Sequence, residues 1–179
     1  MKVSREQVAE NRRGILEAAA RLFRERGFEA VTVAEVMKAA GLTHGGFYGH
    51  FRSKDDLVAQ TLAHAVRPTN KAPSDIAAYA EAYLHPQHRD NLGGGCAFAA
   101  LGPETARGGE EGRRVMTRAL RGQLERLTAA AQGETEAERR RAAIGQWSAM
   151  VGAIILARLS DDPALSDEIL RETRAALGA

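Results

Sequence analysis

Apolar side chains recur every three or four residues along most of the chain, which is the spacing of helices that bury one face. Between Ser4 and Gly27 the recurring positions are Ile15, Ala18, Ala19, Leu22 and Phe23. Ser4 and Gln7 have the spacing of a capping box, which marks the start of a helix. Gly27 is the type of residue that commonly ends a helix. The pattern therefore predicts a first amphipathic helix between these two positions.

Two short helices follow the first one. Thr32 and Glu35 have the spacing of a second capping box, and the helix that they begin is predicted to run through Ala40. Gly41 can adopt the left-handed conformation that ends such a helix, and Thr43 can cap the next one. Two short helices joined by Gly-Leu-Thr have the arrangement of a helix-turn-helix.

The later helices are longer. Ser53 and Asp56 begin a fourth helix, which is predicted to end before Pro68 and Pro73. Further helices are predicted at about 74–84, 96–107, 110–131 and 134–159, and from Asp162-Pro163 to about 177. Gly102-Pro103 is expected to bend or interrupt one of them, and 85–95 to form a loop. Because no strand-like alternation occurs, the predicted class is all-α with about nine helices.

Charge is distributed unevenly along the chain. Its 179 residues include 25 Lys and Arg and 23 Asp and Glu, for a formal net charge of +2. Residues 1–54 carry ten basic and six acidic side chains, whereas residues 55–179 carry fifteen and seventeen. A basic excess in the first third favours contact with a polyanion there. The excess also falls within ordinary scatter, so it supports this interpretation only together with a motif.

Composition excludes several classes of protein. Hydrophobic residues make up 44% and charged residues 27%, which is typical of a folded soluble chain. No apolar run approaches the roughly 20 residues that a membrane span needs, and residues 1–14 lack the apolar centre of a secretory signal. The single cysteine, Cys96, cannot form an internal disulfide. We expect a cytoplasmic protein with no membrane partner.

The segment GLTHGGFYGHF, residues 41–51, combines four glycines with aromatic and histidine side chains. Each glycine costs a helix about 1 kcal/mol relative to alanine, so Gly45, Gly46 and Gly49 weaken a short helix. Small residues on an exposed face would let that helix approach phosphates and base edges closely. Free N–H groups near its start would favour phosphate.

The aromatic residues of this segment divide into two groups. Phe47 and Phe51, four residues apart, are predicted to anchor the short helix to its domain. Tyr48 and His50 would then offer hydrogen-bond donors to phosphates, and Lys54 would add a positive charge at the start of the next helix. The alternative is that Tyr48 and His50 are partly buried core groups and that the glycines belong to a loop.

Residues 32–58, TVAEVMKAAGLTHGGFYGHFRSKDDLV, resemble the DNA-binding signature of the TetR family of bacterial regulators. The preceding segment ARLFRERGFEAVTV fits the same pattern, so the resemblance covers about residues 8–66. By motif position, it implies phosphate contacts from Thr32, Thr43, Tyr48, His50 and Lys54, and base-edge approach from His44, Gly45 and Gly46. Glycine at positions 46 and 49 departs from the larger residues frequent in the family. The operator sequence therefore stays open.

The resemblance also implies a division of the chain and a way to pair. It places a helix-turn-helix DNA-binding domain in residues 1–53, a linking helix in 54–66, and a helical effector-binding and dimerisation domain in 67–179. Members of the family form homodimers through their last two helices. The predicted interface residues are Gly145, Ala149, Gly152, Ala153, Leu156, Leu165 and Ile169. The alternative is that this face packs inside the monomer.

Family members hold a small-molecule effector within the helical domain. The predicted pocket walls are Phe98, Leu101, Met116, Leu120, Trp147 and Met150, each of which is equally suited to an ordinary core position. No charge pattern selects an effector, and no cofactor is predicted. The predicted function is a repressor that binds a palindromic DNA operator as a dimer and is released by a small molecule. An activator of the same fold is the alternative.

Cys96 suggests a second kind of signal. It follows three glycines and begins a helix, where free N–H groups favour a thiolate. The segment GGGCAFAALGPETAR is similar to the glycine-cysteine segment of TetR-type repressors that sense electrophiles or oxidants. The alternative is that Cys96 is a small apolar residue. His85, His88 and Asp90 are too few for a predicted metal site, and no nucleophile motif indicates an enzyme.

Overall fold

The structure is a computed structural model, and it describes residues 4–67 and 75–179. Every regular element in these two ranges is helical, which confirms the all-α prediction. Pro68 and Pro73, the predicted stops of the fourth helix, lie outside the described residues. In chain order the elements are α1 (Arg5–Arg26), α2 (Val33–Ala39), a 3₁₀ helix (His44–Gly49), α3 (Lys54–Ala65), α4 (Ile76–Tyr83), α5 (Pro86–Asp90), α6 (Ala97–Arg107), α7 (Glu110–Ala130), α8 (Glu136–Leu159) and α9 (Pro163–Ala176).

The helix starts follow the predicted capping residues. The Ser4 hydroxyl accepts the N–H of Gln7 at 3.1 Å, and the Ser53 hydroxyl accepts that of Asp56 at 3.1 Å. Thr32 forms the complete predicted capping box at the start of α2. These side chains satisfy N–H groups that the first turn of a helix leaves unpaired, which fixes where each helix begins.

Two stretches differ from the predicted elements. Residues 86–90, expected in a loop, form the short helix α5, because Pro86 suits a first helical position and the His85 ring accepts the N–H of Gln87 at 3.2 Å. Helix α6 continues through Pro103, where a bend or interruption was expected. Ala99 and Leu101, which precede the proline, are buried, so packing holds this part of α6 in place.

Two hydrophobic cores hold the helices together. The first joins α1, α2, the 3₁₀ helix and α3, and the second joins α4 with α6, α7, α8 and α9. Three side chains from the later part of the chain, Leu101, Val115 and Met116, belong to the first core. Phe98 packs against both cores. Residues of α6 and α7 therefore complete the N-terminal core.

A carboxylate from α6 also contacts the connection between α1 and α2. Glu104 accepts the N–H of Phe28 at 2.6 Å. The same carboxylate occupies the space in which any other residue at position 27 would place its Cβ atom. Gly27 also has a φ of +83°, which other residues rarely adopt. The backbone conformation therefore favours glycine here, and a Cβ atom would also displace the Glu104 carboxylate.

Helix α8 is the most apolar of the long helices. An 18-residue window of it has a mean hydropathy of 1.4, so length and composition alone would allow it to cross a membrane. The expectation that no apolar segment approaches the length of a membrane span was therefore wrong. One side of α8 supplies Ala143, Trp147, Met150 and Ile154 to the second core. Its other side carries the exposed apolar residues Ile144, Ile155, Leu156 and Leu159.

Candidate nucleic-acid interface

The turn after α2 sets the position of the 3₁₀ helix. Gly41 has a φ of +71°, its N–H donates to the carbonyl of Lys38 at 3.0 Å, and the N–H of Leu42 donates to that of Met37 at 2.9 Å. This pair of bonds is the Schellman motif, which ends a helix and reverses the chain. The predicted left-handed cap at Gly41 is therefore confirmed, and the next helix begins three residues later.

The segment predicted as the second helix of the motif is a 3₁₀ helix, His44–Gly49. The expected side-chain cap at Thr43 is not formed; instead the Thr43 carbonyl accepts the N–H of Gly46 at 3.0 Å. Phe47 and Phe51 anchor the segment as predicted. Each is 2% exposed, and their rings stack with centroids 5.6 Å apart.

The opposite side of the 3₁₀ helix faces solvent. His44, Gly45 and Gly46 are exposed, and Tyr48 is 74% exposed with its ring edge against Phe47 at 5.3 Å between centroids. His50 is half-buried. The alternative in which Tyr48 is a core group is therefore wrong. His44, Tyr48 and the glycines of this segment are therefore all accessible to a partner in solution.

The fold does not require glycine at positions 45 and 49. A Cβ atom added at Gly45 or Gly49 would meet nothing within 4 Å, and neither residue has a positive φ. At Gly46 the nearest atom would be the Met37 methyl at 3.6 Å, an ordinary contact distance. Within the described residues, neither packing nor backbone conformation explains glycine at 45 and 49. The lack of side chains leaves the backbone open to a partner outside the chain.

Arg12, which the sequence analysis did not single out, holds the far end of this segment. Its guanidinium donates to the carbonyl of His50 at 2.6 Å and to the side chain of Gln60. The same group lies over the ring of Phe51, 4.8 Å from its centroid. Arg12 lies three residues before Ile15, on the buried side of α1, and this spacing was the signal that could have identified it.

Thr32 is already engaged within the chain. Its hydroxyl and its N–H both donate to the Glu35 carboxylate, each at 2.8 Å, and Arg26 donates to the same carboxylate at 2.9 Å. These bonds, with the Thr32 N–H as the largest cause, lower the pKa of Glu35 to about 2. A phosphate contact from the Thr32 hydroxyl would require this bond to Glu35 to open.

Basic side chains lie at both ends of the motif. Lys38 and Arg52 are exposed, and Lys54 is the first residue of α3, where the helix dipole also favours anions. The Lys54 Nζ lies 3.4 Å from the carbonyl oxygen of Glu29. None of the three makes an ion pair with a carboxylate of the described ranges. All three cations are therefore available to an anionic partner.

The predicted effector-pocket residues do not form one group. Leu101 and Met116 belong to the first core, and Trp147 and Met150 to the second. Phe98 lies between the cores, with its ring 5.8 Å from that of Trp147. The sixth residue, Leu120, is 38% exposed and lies outside both cores, so it faces solvent.

Most of the predicted pairing residues lie on the outer surface of α8 and α9. Gly145, Ala149, Leu156 and Leu165 are exposed, and Gly152 and Ile169 are partly exposed. Ala153 is only 4% exposed and packs in the second core, so it lies on the wrong side of α8 for an interface. Ile144, Ile155 and Leu159, which were not predicted, are exposed beside the others.

Cys96 precedes α6, is half-buried and packs against the second core. Its N–H donates to Nε2 of His88 at 3.0 Å, and Nδ1 of the same ring lies 2.5 Å from the carbonyl oxygen of Tyr83. His88 is therefore neutral with its proton on Nδ1, and burial lowers its pKa. The Tyr83 hydroxyl is buried beside the Cys96 thiol and has no hydrogen-bond partner of good geometry in the described ranges.

The histidines near this site have structural roles. His85 caps α5 and His88 bridges α4 to the start of α6. Residues 4–67 and 75–179 contain no group of three or more His, Cys, Asp or Glu side chains arranged to hold a metal ion.

Comparison with known sequences identifies the N-terminal part of the chain. Residues 15–61 match the family described as bacterial regulatory proteins, tetR family. The HTH-type transcriptional regulator AcrR of Shigella flexneri is 39% identical over 57 residues, which are 32% of this chain and 26% of that protein. The HTH-type transcriptional repressor KstR2 of Mycobacterium tuberculosis is 43% identical over 56 residues, 31% of this chain and 28% of that protein. The matched segments thus span under a third of these relatives.

Comparison with solved structures extends the likeness to the whole fold. The reduced form of NemR from E. coli has a TM-score of 0.70 at 22% identity, over 93% of this chain and 95% of that one. A TetR-family transcriptional regulator from Agrobacterium tumefaciens has a TM-score of 0.72 at 21% identity, over 94% and 98%. Residues 15–61 thus match the tetR family of bacterial regulatory proteins, and the chain as a whole shares the all-helical fold of these solved structures.

Proposed function

We propose that this protein is a DNA-binding transcriptional regulator that uses the 3₁₀ helix His44–Gly49 as its recognition element. The observation that carries the proposal is the pair Gly45 and Gly49, which nothing inside the described structure requires. Glycines at these positions let the backbone of an exposed, anchored segment approach base edges and phosphates. The relatives named as transcriptional regulators support the same activity.

The exposed groups around the segment suit the two kinds of DNA contact. Tyr48 and Lys54 would bind phosphates, which fix the orientation of the protein on the duplex. Thr43, exposed and without a capping bond, and His50 would add further phosphate contacts. His44 is the largest side chain on the face that approaches the bases. Direct sequence readout would therefore depend on few side chains, with the remainder from DNA shape.

We further propose that the protein acts as a homodimer on a palindromic operator. One recognition element gives little affinity, so specific sites are read as two half-sites about 34 Å apart. The exposed apolar surface of α8 and α9 supplies a pairing face, with Leu156 54%, Leu159 78% and Leu165 47% exposed. Apolar residues concentrated on two adjacent helices are typical of an interface.

Release from DNA would follow when the later helices move relative to the 3₁₀ helix. Helix α3 follows the recognition segment, and Glu104 of α6 contacts the connection between α1 and α2. A small molecule that binds one arrangement of these helices better would shift the population away from the DNA-binding state. Because one relative is a repressor, we propose that the protein represses transcription in the cytoplasm.

Cys96 supports a second candidate signal, in which an electrophile or oxidant reacts with its thiol. The favouring observation is the buried Tyr83 hydroxyl beside it, which has no well-placed partner among the described residues. Addition to the thiol would enlarge a group packed against the second core beside Tyr83 and push against the start of α6. The same helix carries Glu104 towards the recognition domain.

Removing the Tyr48 hydroxyl or the Lys54 charge should weaken DNA binding by about the same factor on operator and random DNA, since phosphate contacts do not distinguish sequences. We expect Tyr48→Phe and Lys54→Ala each to lower affinity roughly three- to tenfold. The operator is first selected from random DNA fragments. Fluorescence anisotropy then measures the affinity of each variant for operator and for random DNA. Arg141→Ala, exposed on α8, is the control. A loss confined to operator DNA would contradict phosphate roles.

A charge on the exposed face of α8 should separate the protomers. Leu156→Glu would place a carboxylate in the apolar interface, and we expect sedimentation to shift from dimer to monomer and operator affinity to fall at least tenfold. The matched control for sedimentation is Val8→Glu, because Val8 is also exposed, at 41%, and lies on α1 rather than on α8 or α9. A dimer that persists unchanged in Leu156→Glu would rule out this interface.

Alkylation tests the role of Cys96. N-ethylmaleimide should release the native protein from operator DNA, because the added group is too large for the packed site. Cys96→Ser, which keeps a small side chain, should stay bound under the same treatment. Gel retardation before and after treatment measures this. Equal retention of the two proteins would remove the candidate signal without affecting the proposal of DNA binding.

A further inference from the structure

A cavity of about 560 Å³ lies between helix α3 and the corner where α6 meets α7. Its walls come from the connection between α1 and α2, from α3, and from the corner between α6 and α7. This volume falls within the roughly 300–1,000 Å³ typical of small-molecule sites. None of the six residues predicted to form the effector pocket lines it, so it is a separate site.

Glycines at the corner keep this space open. Gly112 allows α7 to approach α3 closely, since a Cβ atom there would lie 3.2 Å from the Leu62 Cδ1. At Gly109 an added Cβ would meet nothing within 4 Å, and its φ of −68° suits any residue. Helix α7 therefore packs against α3 at Gly112, and the space around the Cβ position of Gly109 is open.

The walls combine an apolar surface with an excess of carboxylates. Phe28, Val58, Ala59 and Leu62 supply the apolar part. The charged lining consists of the acidic residues Glu29, Asp55, Glu104 and Glu111 and the basic residues Lys54 and Arg107. Acidic groups thus outnumber basic ones by two.

The contacts of these groups leave the negative charge available. Glu111 pairs with Arg114 at 3.2 Å, but Glu104 accepts only the neutral N–H of Phe28, which leaves its charge without a counterion among the described residues. Lys54 directs its ammonium to the carbonyl of Glu29. Glu29, Asp55 and Glu104 therefore face two cations of the lining that form no ion pair within the described ranges, Lys54 and Arg107, which leaves an excess of one carboxylate. An excess carboxylate beside an apolar surface complements a cation attached to an apolar body.

We propose that this cavity binds a small organic cation with an aromatic or aliphatic body. The apolar body lies against Val58, Ala59 and Leu62, and the cationic group lies near Glu29 and Glu104. Binding here does not rest on DNA recognition, although an occupant would contact both α3 and the α6–α7 corner and so bridge the two parts of the chain.

Three probes of nearly equal shape test the charge requirement: 1-naphthylmethylamine, which is protonated at neutral pH, the uncharged 1-naphthalenemethanol and the anionic 1-naphthoate. Titration followed by ¹H–¹⁵N NMR of the full chain gives affinity and location together. We expect the amine to bind with a dissociation constant on the order of 1 mM and the alcohol about fivefold more weakly. The shifted amides should include those of Ala59, Gly109 and Gly112.

Substitutions test separately whether binding needs the carboxylate charge and whether it needs the open volume of the cavity. Glu29→Gln with Glu104→Gln should weaken the amine about tenfold and leave the alcohol unchanged, since glutamine still accepts the Phe28 N–H. Glu125→Gln, an exposed carboxylate of α7 outside the cavity, is the matched control and should change neither. Gly109→Phe should block both probes. Glu29→Gln alone, at an exposed site, checks charge without risk to the fold.

Several results would overturn the proposal. Equal affinity for the three probes would remove the charge requirement, and shifts that map away from α3 and the α6–α7 corner would remove the site. Absence of amine binding at about 10 mM would do the same, because this concentration exceeds the expected dissociation constant several-fold. None of these results bears on DNA affinity, so failure here and failure of the proposed function can be told apart.

Discussion

The burial of Phe47 and Phe51 is the interaction on which the rest of the account depends. A six-residue 3₁₀ helix with three glycines has no stability of its own, so its position comes from tertiary packing. The two stacked rings supply that packing, and Arg12 holds the carbonyl of His50 at the far end. Because the segment is fixed from the inside, its outer surface is free to consist of glycine and exposed polar groups.

The same dependence on packing links the 3₁₀ helix to distant parts of the chain. Leu101, Val115 and Met116 complete the core that contains Phe47, and Glu104 contacts the connection between α1 and α2. Helix α6 therefore contacts the first core through Leu101 and the connection between α1 and α2 through Glu104, while its start lies beside Cys96 and Tyr83. A change at either end of α6, or in the cavity beside its last turn, has a short structural route to the recognition segment.

Local chemistry decided which features the sequence could predict. Capping boxes and the left-handed glycine at 41 involve residues within a few positions of one another, so the starts of α1, α2 and α3 and the turn after α2 were predicted correctly. Features set by distant partners were missed or wrong. Arg12 bonds to a residue 38 positions away, and Ala153 faces the monomer core because of how α8 packs. Whether residues 44–49 form an α or a 3₁₀ helix depends on the same packing, since the intrinsic preference of three glycines is weak.

Amide hydrogen exchange of the full chain, with and without bound operator duplex, tests most directly whether the glycine-rich segment contacts DNA. The account predicts that the duplex slows exchange at 43–54, where backbone N–H groups meet phosphates, and changes exchange little at the exposed surface of α4. Protection that falls elsewhere, with exchange at 43–54 unchanged in a saturated complex, would contradict the account.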